Sequence, residues 1–214
     1  MDAADPAYLE RLFRAKAAAE REQADALDPP SAGLGSDGPP TAAVLLLKGE
    51  YGPATASAAG PMPGPLSPAE VEAASKALAA LGLPAGDLAA LATRGVASPP
   101  SEAADRRLSL AVEACDPAWV VALDGVAAED AARALGIEAL GFGKPLVVAG
   151  RVWLAVDGLE ASRADPARKR RVWVQLKALA EARPPGEPAP VAPTAPSGSG
   201  AARRASRLGE RPAG

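Results

Sequence analysis

Short apolar runs alternate with segments of helical periodicity between about residue 41 and residue 183. Residues 43–47 and 119–123 are continuous apolar runs, which is typical of strands covered on both faces. Residues 88–92 form a weaker strand candidate, and residues 145–156 indicate two short strands around Ala149-Gly150. The pattern therefore predicts several short, buried strands.

Start and stop signals of helices lie between these strand candidates. Ser67-Pro68-Ala69-Glu70 is a capping box with proline at the first helical position, and Gly82 ends the apolar spacing that follows it. Further helices are predicted from Ser101, over Ala127–Leu135 with a stop at Gly136, and from Asp165-Pro166. Strands that alternate with helices predict a three-layer α/β/α sandwich with a mostly parallel central sheet.

Composition divides the chain into four parts. Residues 1–28 are predicted to form an N-terminal helix, with Asp5 as N-cap, Pro6 at the first position and an apolar turn over residues 8–13. Residues 29–40 are rich in Pro and Gly and are predicted to be a linker without regular structure. Residues 41–183 form the α/β domain, and we expect residues 184–214 to be a disordered tail.

The residue types that are missing exclude whole classes of chemistry. The 214 residues include no histidine and one cysteine, Cys115, which excludes an imidazole base, a His-bound metal and a cluster of cysteine ligands. We therefore expect no cofactor and no metal, and we expect Cys115 to be a buried structural thiol. The formal net charge of −3 gives the chain no overall attraction to nucleic acid, so such binding would need a local basic patch.

Neither a signal peptide nor a membrane helix is evident. The first residues lack a basic flank followed by an apolar run, and no apolar stretch approaches the roughly 20 residues that span a bilayer. We expect a soluble cytoplasmic protein with no membrane partner.

Two segments carry candidate binding chemistry. The loop of Gly49, Glu50 and Gly52 directly follows the first buried strand, where open α/β sheets place their ligand sites. The second segment is the basic run Arg168-Lys169-Arg170-Arg171 at the start of the last helix. Cations there oppose the helix dipole, and a local cost without a visible local gain favours phosphate contact. We expect the neighbouring Trp173 to pack in the core.

The last helix also carries a family resemblance. Residues 165–177 follow the order Asp-Pro-x-x-Lys-Arg-x-x-Trp-x-x-Leu-Lys, which resembles the last helix of the uracil-DNA glycosylase superfamily and is closest to its bacterial iron–sulfur branch. Residues 45–50, 92–100 and 116–123 resemble three earlier segments of that family in the same order. The resemblance covers about residues 41–182. It implies an α/β/α fold and an enzyme that extrudes uracil from DNA before breaking its glycosidic bond.

The departures from the family pattern fall on the residues that would do this chemistry. The family's base-reading Asn corresponds to Thr93, and the His that stabilises the leaving uracil corresponds to Gly158. No aromatic residue that could stack on a base lies between Gly52 and Leu66. The cluster ligands correspond to Ala97 and Ala104, so only the Gly49-Glu50 pair survives.

Three interpretations follow. The favoured one is a glycosylase-like domain without uracil excision that acts as a DNA- or protein-binding module, with Gly49, Gly52, Thr93, Gly158 and residues 168–171 as candidate DNA contacts. A divergent DNA base-excision glycosylase, with Glu50 or Asp157 positioning water, is the alternative. The third is an unrelated α/β domain with accidental similarities.

Overall fold

The computed structural model describes residues 5–27, 36–49, 64–95 and 98–182. The helices are α1 Pro6–Leu27, α2 Pro68–Ala80, α3 Glu102–Cys115, α4 Gly125–Leu135 and α5 Pro166–Glu181. The strands are β1 Ser36–Asp37, β2 Val44–Lys48, β3 Leu88–Ala92, β4 Trp119–Ala122, β5 Leu146–Val148 and β6 Arg151–Ala155. A 3-10 turn at Ala161–Arg163 precedes α5.

The strands form one sheet in the order β1-β3-β2-β4-β6-β5. The four inner strands are parallel, and β1 and β5 pair antiparallel at the two edges. The inner strands β2 and β4 are buried along their whole length, as their continuous apolar runs predicted. The predicted mostly parallel sheet is confirmed.

Alternate residues of each strand enter two separate cores, which makes the domain three-layered. Leu45, Leu47 and Val120 point to the side covered by α3 and α4. Leu46 and Val121 point to the opposite side, where residues of α2 and α5 cover them. This division follows from the two-residue period of side chains along a strand.

The helix signals read from the sequence have the expected geometry. At the start of α2 the Ser67 side chain accepts from the Glu70 backbone, and the Glu70 carboxylate accepts from the Ser67 N–H at 2.9 Å. At the end of α4, Gly136 adopts φ +66°, the left-handed conformation in which glycine is favoured. The predicted capping box and glycine stop are confirmed, and Cys115 is buried as expected.

The N-terminal helix is an integral part of the domain, because α1 packs along α3. The guanidinium of Arg107, a fully buried residue of α3, donates to the Asp25 carboxylate of α1 at 2.9 Å and to the Ala92 carbonyl at 2.7 Å. Ala17 and Ala24 face inward. The apolar turn over residues 8–13 lies outside this contact, and its large side chains are each about half exposed.

The prediction for the segment after α1 is wrong in part. Residues 29–40 were predicted to be a linker without regular structure, but Ser36 and Asp37 pair with Leu91 and Ala90 as a short edge strand. The pairing uses backbone groups at the open edge of β3, so the local Pro- and Gly-rich sequence does not reveal it. The predicted disordered tail, residues 29–35 of the predicted linker and residue 28 at the end of the predicted N-terminal helix lie outside the described residues.

Among the described helices, none combines the length and apolar character needed to cross a bilayer.

The contact between Arg107 and Asp25 should anchor α1. Replacing Asp25 by Ala removes a charged acceptor from a buried guanidinium, so the free energy of unfolding should fall by about 2 kcal/mol. Urea denaturation measures this difference. Glu22→Ala changes an exposed carboxylate of the same helix and should have little effect; equal losses for the two variants would contradict the anchoring role.

Candidate functional site

The carboxyl edge of the sheet contains the position where the strand order reverses. The chain passes from β2 to β3 on one side and from β4 to β6 on the other, so β2 and β4 lie side by side at the reversal. Ligands of open α/β sheets bind outside this point. The residues that follow the two strands there are Gly49 and Leu123-Asp124.

Gly49 lies against the start of α4. A Cβ atom at this position would lie 2.6 Å from the Ala127 nitrogen and 2.6 Å from Cγ1 of Val126. The Gly49 N–H donates to Oδ2 of Asp124 at 3.1 Å, and the other oxygen of this carboxylate caps α4 by accepting from the Ala127 N–H at 2.8 Å. The close approach that glycine permits is therefore used for packing within the chain.

A buried cluster of charges, which the sequence analysis missed, holds the same edge together. Lys48, the last residue of β2, is almost fully buried, and its Nζ lies 2.7 Å from Oε1 of Glu70 and 2.9 Å from Oε2 of Glu160. Glu70 belongs to the capping box of α2, whereas Glu160 lies just before the 3-10 turn that follows β6. The cluster therefore joins three segments of the edge. A lysine at the end of a buried apolar strand is the signal that could have revealed it.

Lys48 and Glu70 stabilise each other's charged form. Burial alone would lower the pKa of Lys48, but the hydrogen bonds and charges of Glu70 and Glu160 outweigh it, so this pKa lies above its usual range. Burial alone would raise the pKa of Glu70, but the hydrogen bonds from Lys48 and Ser67 outweigh it, and this pKa lies below its usual range. Both groups are thus held in their charged forms.

Thr93, which the resemblance aligns with a base-reading residue, takes part in a second buried network. Its hydroxyl donates to Oδ2 of Asp130 at 2.6 Å. The same carboxylate also binds the guanidinium groups of Arg94 and Arg133. The Thr93 side chain is buried and is directed toward Asp130 of α4.

Asp157 and Gly158 follow β6 at the same edge. The Asp157 carboxylate lies 3.6 Å from the Arg168 guanidinium and 3.4 Å from that of Arg171. The Asp157 backbone N–H donates to the Gln175 side chain at 2.8 Å. Gly158 has φ +71°, so any other side chain at this turn would strain the backbone. Glu50 and Gly52, the remaining candidates of the loop after β2, lie outside the described residues.

The basic run at the start of α5 divides into two pairs. Arg168 and Arg171 turn toward Asp157, and Asp165 caps the helix by accepting from the N–H groups of Ala167 and Arg168 at 2.8 and 3.2 Å. These backbone hydrogen bonds hold the pKa of Asp165 below its usual range. Two of the four cations of the run are therefore stabilised by a carboxylate that the sequence did not reveal.

Lys169 and Arg170 point the other way. Both side chains are exposed, and within the described part of the chain neither has an acidic partner in an ion pair. They border an open groove between α2 and α5, together with Trp173. Trp173 was predicted to pack in the core but is only partly buried, since it lines this groove.

No protein-family model and no curated protein matches the chain. The likeness to the uracil-DNA glycosylase superfamily therefore remains a prediction from the sequence.

The structure brings Gly49, Thr93, Asp157 and Gly158 to one edge of the sheet, as expected for residues that follow strands. It does not bring residues 168–171 together as one patch. Among the described residues, no group of three or more Asp, Glu, Cys or His side chains is placed to bind a metal ion. The carboxylates named above at this edge all bind protein groups, and they are Glu70, Asp124, Asp157 and Glu160.

Removing one charge from the buried cluster should destabilise the protein in a pH-dependent way. Glu70→Gln removes one of the carboxylates that compensate the buried ammonium group of Lys48, so the free energy of unfolding at neutral pH should fall by about 3 kcal/mol. The folded pKa of Glu70 lies below its ordinary value of 4.5. Its contribution is therefore present above that pH and is lost as the pH falls through the folded pKa.

Chemical denaturation as a function of pH tests this expectation. The difference between wild type and Glu70→Gln should shrink on acidification below 4.5. Glu72→Gln is the matched control, because Glu72 lies on the same helix in an exposed ion pair with Lys76 and should leave stability nearly unchanged. A difference that stays constant down to acidic pH would contradict the role given to the cluster.

Proposed function

We propose that this chain is a uracil-DNA glycosylase-like protein without uracil excision activity, which binds DNA through Lys169 and Arg170. The α/β/α sandwich and the position of the four family-like segments within it support the proposal. Of their described residues, 45–49 lie at β2, 92–95 lie at the end of β3, 116–123 contain β4, and 165–177 contain the first turns of α5. We place this activity in the cytoplasm.

The contacts of the residues at the carboxyl edge support the absence of uracil excision. Catalysis needs groups that bind the transition state more tightly than the substrate. The Thr93 hydroxyl is committed to Asp130 and Gly158 has no side chain. Asp157 is bound to two arginines, and a carboxylate there would repel the anion that develops on a leaving uracil.

The observation that carries the DNA-binding part is the exposure of Lys169 and Arg170. Two adjacent cations without an acidic partner among the described residues are costly near a helix N-terminus. Phosphate groups of a nucleic acid would compensate both charges, with release of counterions. The formal net charge of the whole chain is −3, so any attraction to the phosphates of DNA must be local, as at Lys169 and Arg170.

A base-release assay separates the proposal from the alternative of a divergent glycosylase. Purified protein is incubated with uracil-, hypoxanthine- and xanthine-containing oligonucleotides, both single- and double-stranded, and we expect no free base above the no-enzyme control. Base release that disappears in Glu50→Gln or Asp157→Asn would contradict the proposal and establish an excision enzyme.

Neutralising the two cations should weaken DNA binding. For Lys169→Ala combined with Arg170→Ala, the slope of log K against log salt should become less steep by about 1.4 on single strands or about 1.8 on duplex. Fluorescence anisotropy at several salt concentrations measures both affinity and slope.

A matched control removes two exposed cations from the rest of the surface, with Arg106→Ala combined with Lys144→Ala. This control should keep the wild-type slope. The absence of binding by wild type at low salt, or equal slopes for the two double variants, would overturn DNA binding through α5.

A further inference from the structure

A groove of about 830 Å³ lies on the outer surface of the domain between α2 and α5. Its walls are α2, α5 and the segment of Leu159, Ser162 and Arg163 that follows β6, so one end of the groove adjoins the carboxyl edge of the sheet. Its floor is apolar, with Ala73 and Ala77 from α2 and Val172 and Leu176 from α5. The small alanines keep the α2 wall low, so the groove is open to solvent.

The rim of the groove is basic. The charged residues that line it are Lys76, Arg163, Lys169, Arg170 and a single acid, Glu72. Glu72 binds Lys76 at 2.6 Å. Among the described residues Arg163, Lys169 and Arg170 form no ion pair, so three positive charges lie along the α5 side of an apolar floor.

An aromatic ring lies beside these cations. Trp173 lines the groove one turn after Lys169 and Arg170 and is partly exposed. The Nζ of Lys177 lies 5.7 Å from the centre of its ring. Lys177 is exposed, so this cation–π contact is weak and easily displaced.

We infer that the groove binds single-stranded nucleic acid, with a base against Trp173 and phosphates at Arg163, Lys169 and Arg170. A basic track beside an aromatic ring is the arrangement by which proteins bind single strands without reading their sequence. In a duplex the faces of the bases are stacked inside the helix, so only an unpaired base can reach Trp173. This inference rests on the proposed function and specifies the form of nucleic acid.

The sign of the charge argues against the chain's own tail as the occupant. Residues 184–214 carry four arginines and two glutamates, so the tail has the same sign of charge as the rim. A polyanion complements the rim, and the apolar floor accommodates the faces of bases and sugars.

Intrinsic fluorescence gives a direct readout of the site. Trp119 and Trp153 are only 5% and 3% exposed, whereas Trp173 lies at the surface. Titration of the full chain with an oligo(dT) strand of about 12 nucleotides should therefore quench mainly Trp173. The matching oligo(dT)·oligo(dA) duplex should bind at least tenfold more weakly at the same salt concentration.

Variants separate stacking from charge. Trp173→Ala should weaken oligo(dT) binding by about tenfold with an unchanged salt slope, and Trp173→Phe should restore most of the affinity by keeping an aromatic face. Tyr8→Ala is the matched control, because it removes a half-exposed aromatic residue of α1, which packs on the opposite side of the sheet. Thermal unfolding followed by circular dichroism confirms that each variant is folded.

The outcomes distinguish the inference from the proposal beneath it. One outcome overturns the groove inference and leaves DNA binding standing. In it, duplex and single strand bind with equal affinity, and Trp173→Ala and Trp173→Phe both bind like wild type. The Lys169→Ala and Arg170→Ala double variant still binds more weakly than wild type. If neither nucleic acid binds at low salt, both fail. Quenching by an acidic amphipathic helical peptide but not by oligo(dT) would overturn both and assign the groove to a protein partner.

Discussion

The buried charge of Lys48 is the constraint on which the carboxyl edge of the sheet depends. An ammonium group at the end of the central strand β2 cannot be left without compensation in a nearly dry interior. Glu70 and Glu160 supply that compensation from α2 and from the segment after β6. Glu70 is 22 positions from Lys48 and Glu160 is 112 positions away, so the cluster joins an early and a late segment of the domain at the end of β2.

The same edge is where an open α/β sheet normally places its ligand. Here Gly49 packs on α4, Thr93 binds Asp130, and Asp157 binds two arginines of α5. These contacts use polar groups that an enzyme would turn toward a substrate. The exposed cations Lys169 and Arg170 lie instead on the side of α5 that faces away from Asp157, which is the surface proposed above to bind nucleic acid.

Local signals in the sequence were sufficient for most of the architecture. Capping residues such as Ser67 and Asp165, the glycine stop at Gly136 and the continuous apolar run of β4 each determine an element from its own residues. The sequence also placed Thr93 and Asp157 at strand ends. Local signals do not reveal which side chains bind each other across the fold. Lys48 and Glu160 are 112 positions apart in the sequence, and Arg107 and Asp25 are 82 positions apart. Residues 168–171 looked like one basic patch in the sequence. Helical spacing alone does not show that Asp157, which follows β6, binds Arg168 and Arg171.

Hydrogen–deuterium exchange of the full chain with and without saturating oligo(dT) locates the binding surface most directly. We expect slower exchange in Pro68–Ala80 and Pro166–Glu181, the two helices that border the groove, with little change at residues 47–49, 93–95 and 156–158. Protection confined to those strand ends would contradict this expectation, because the nucleic acid would then occupy the carboxyl edge of the sheet.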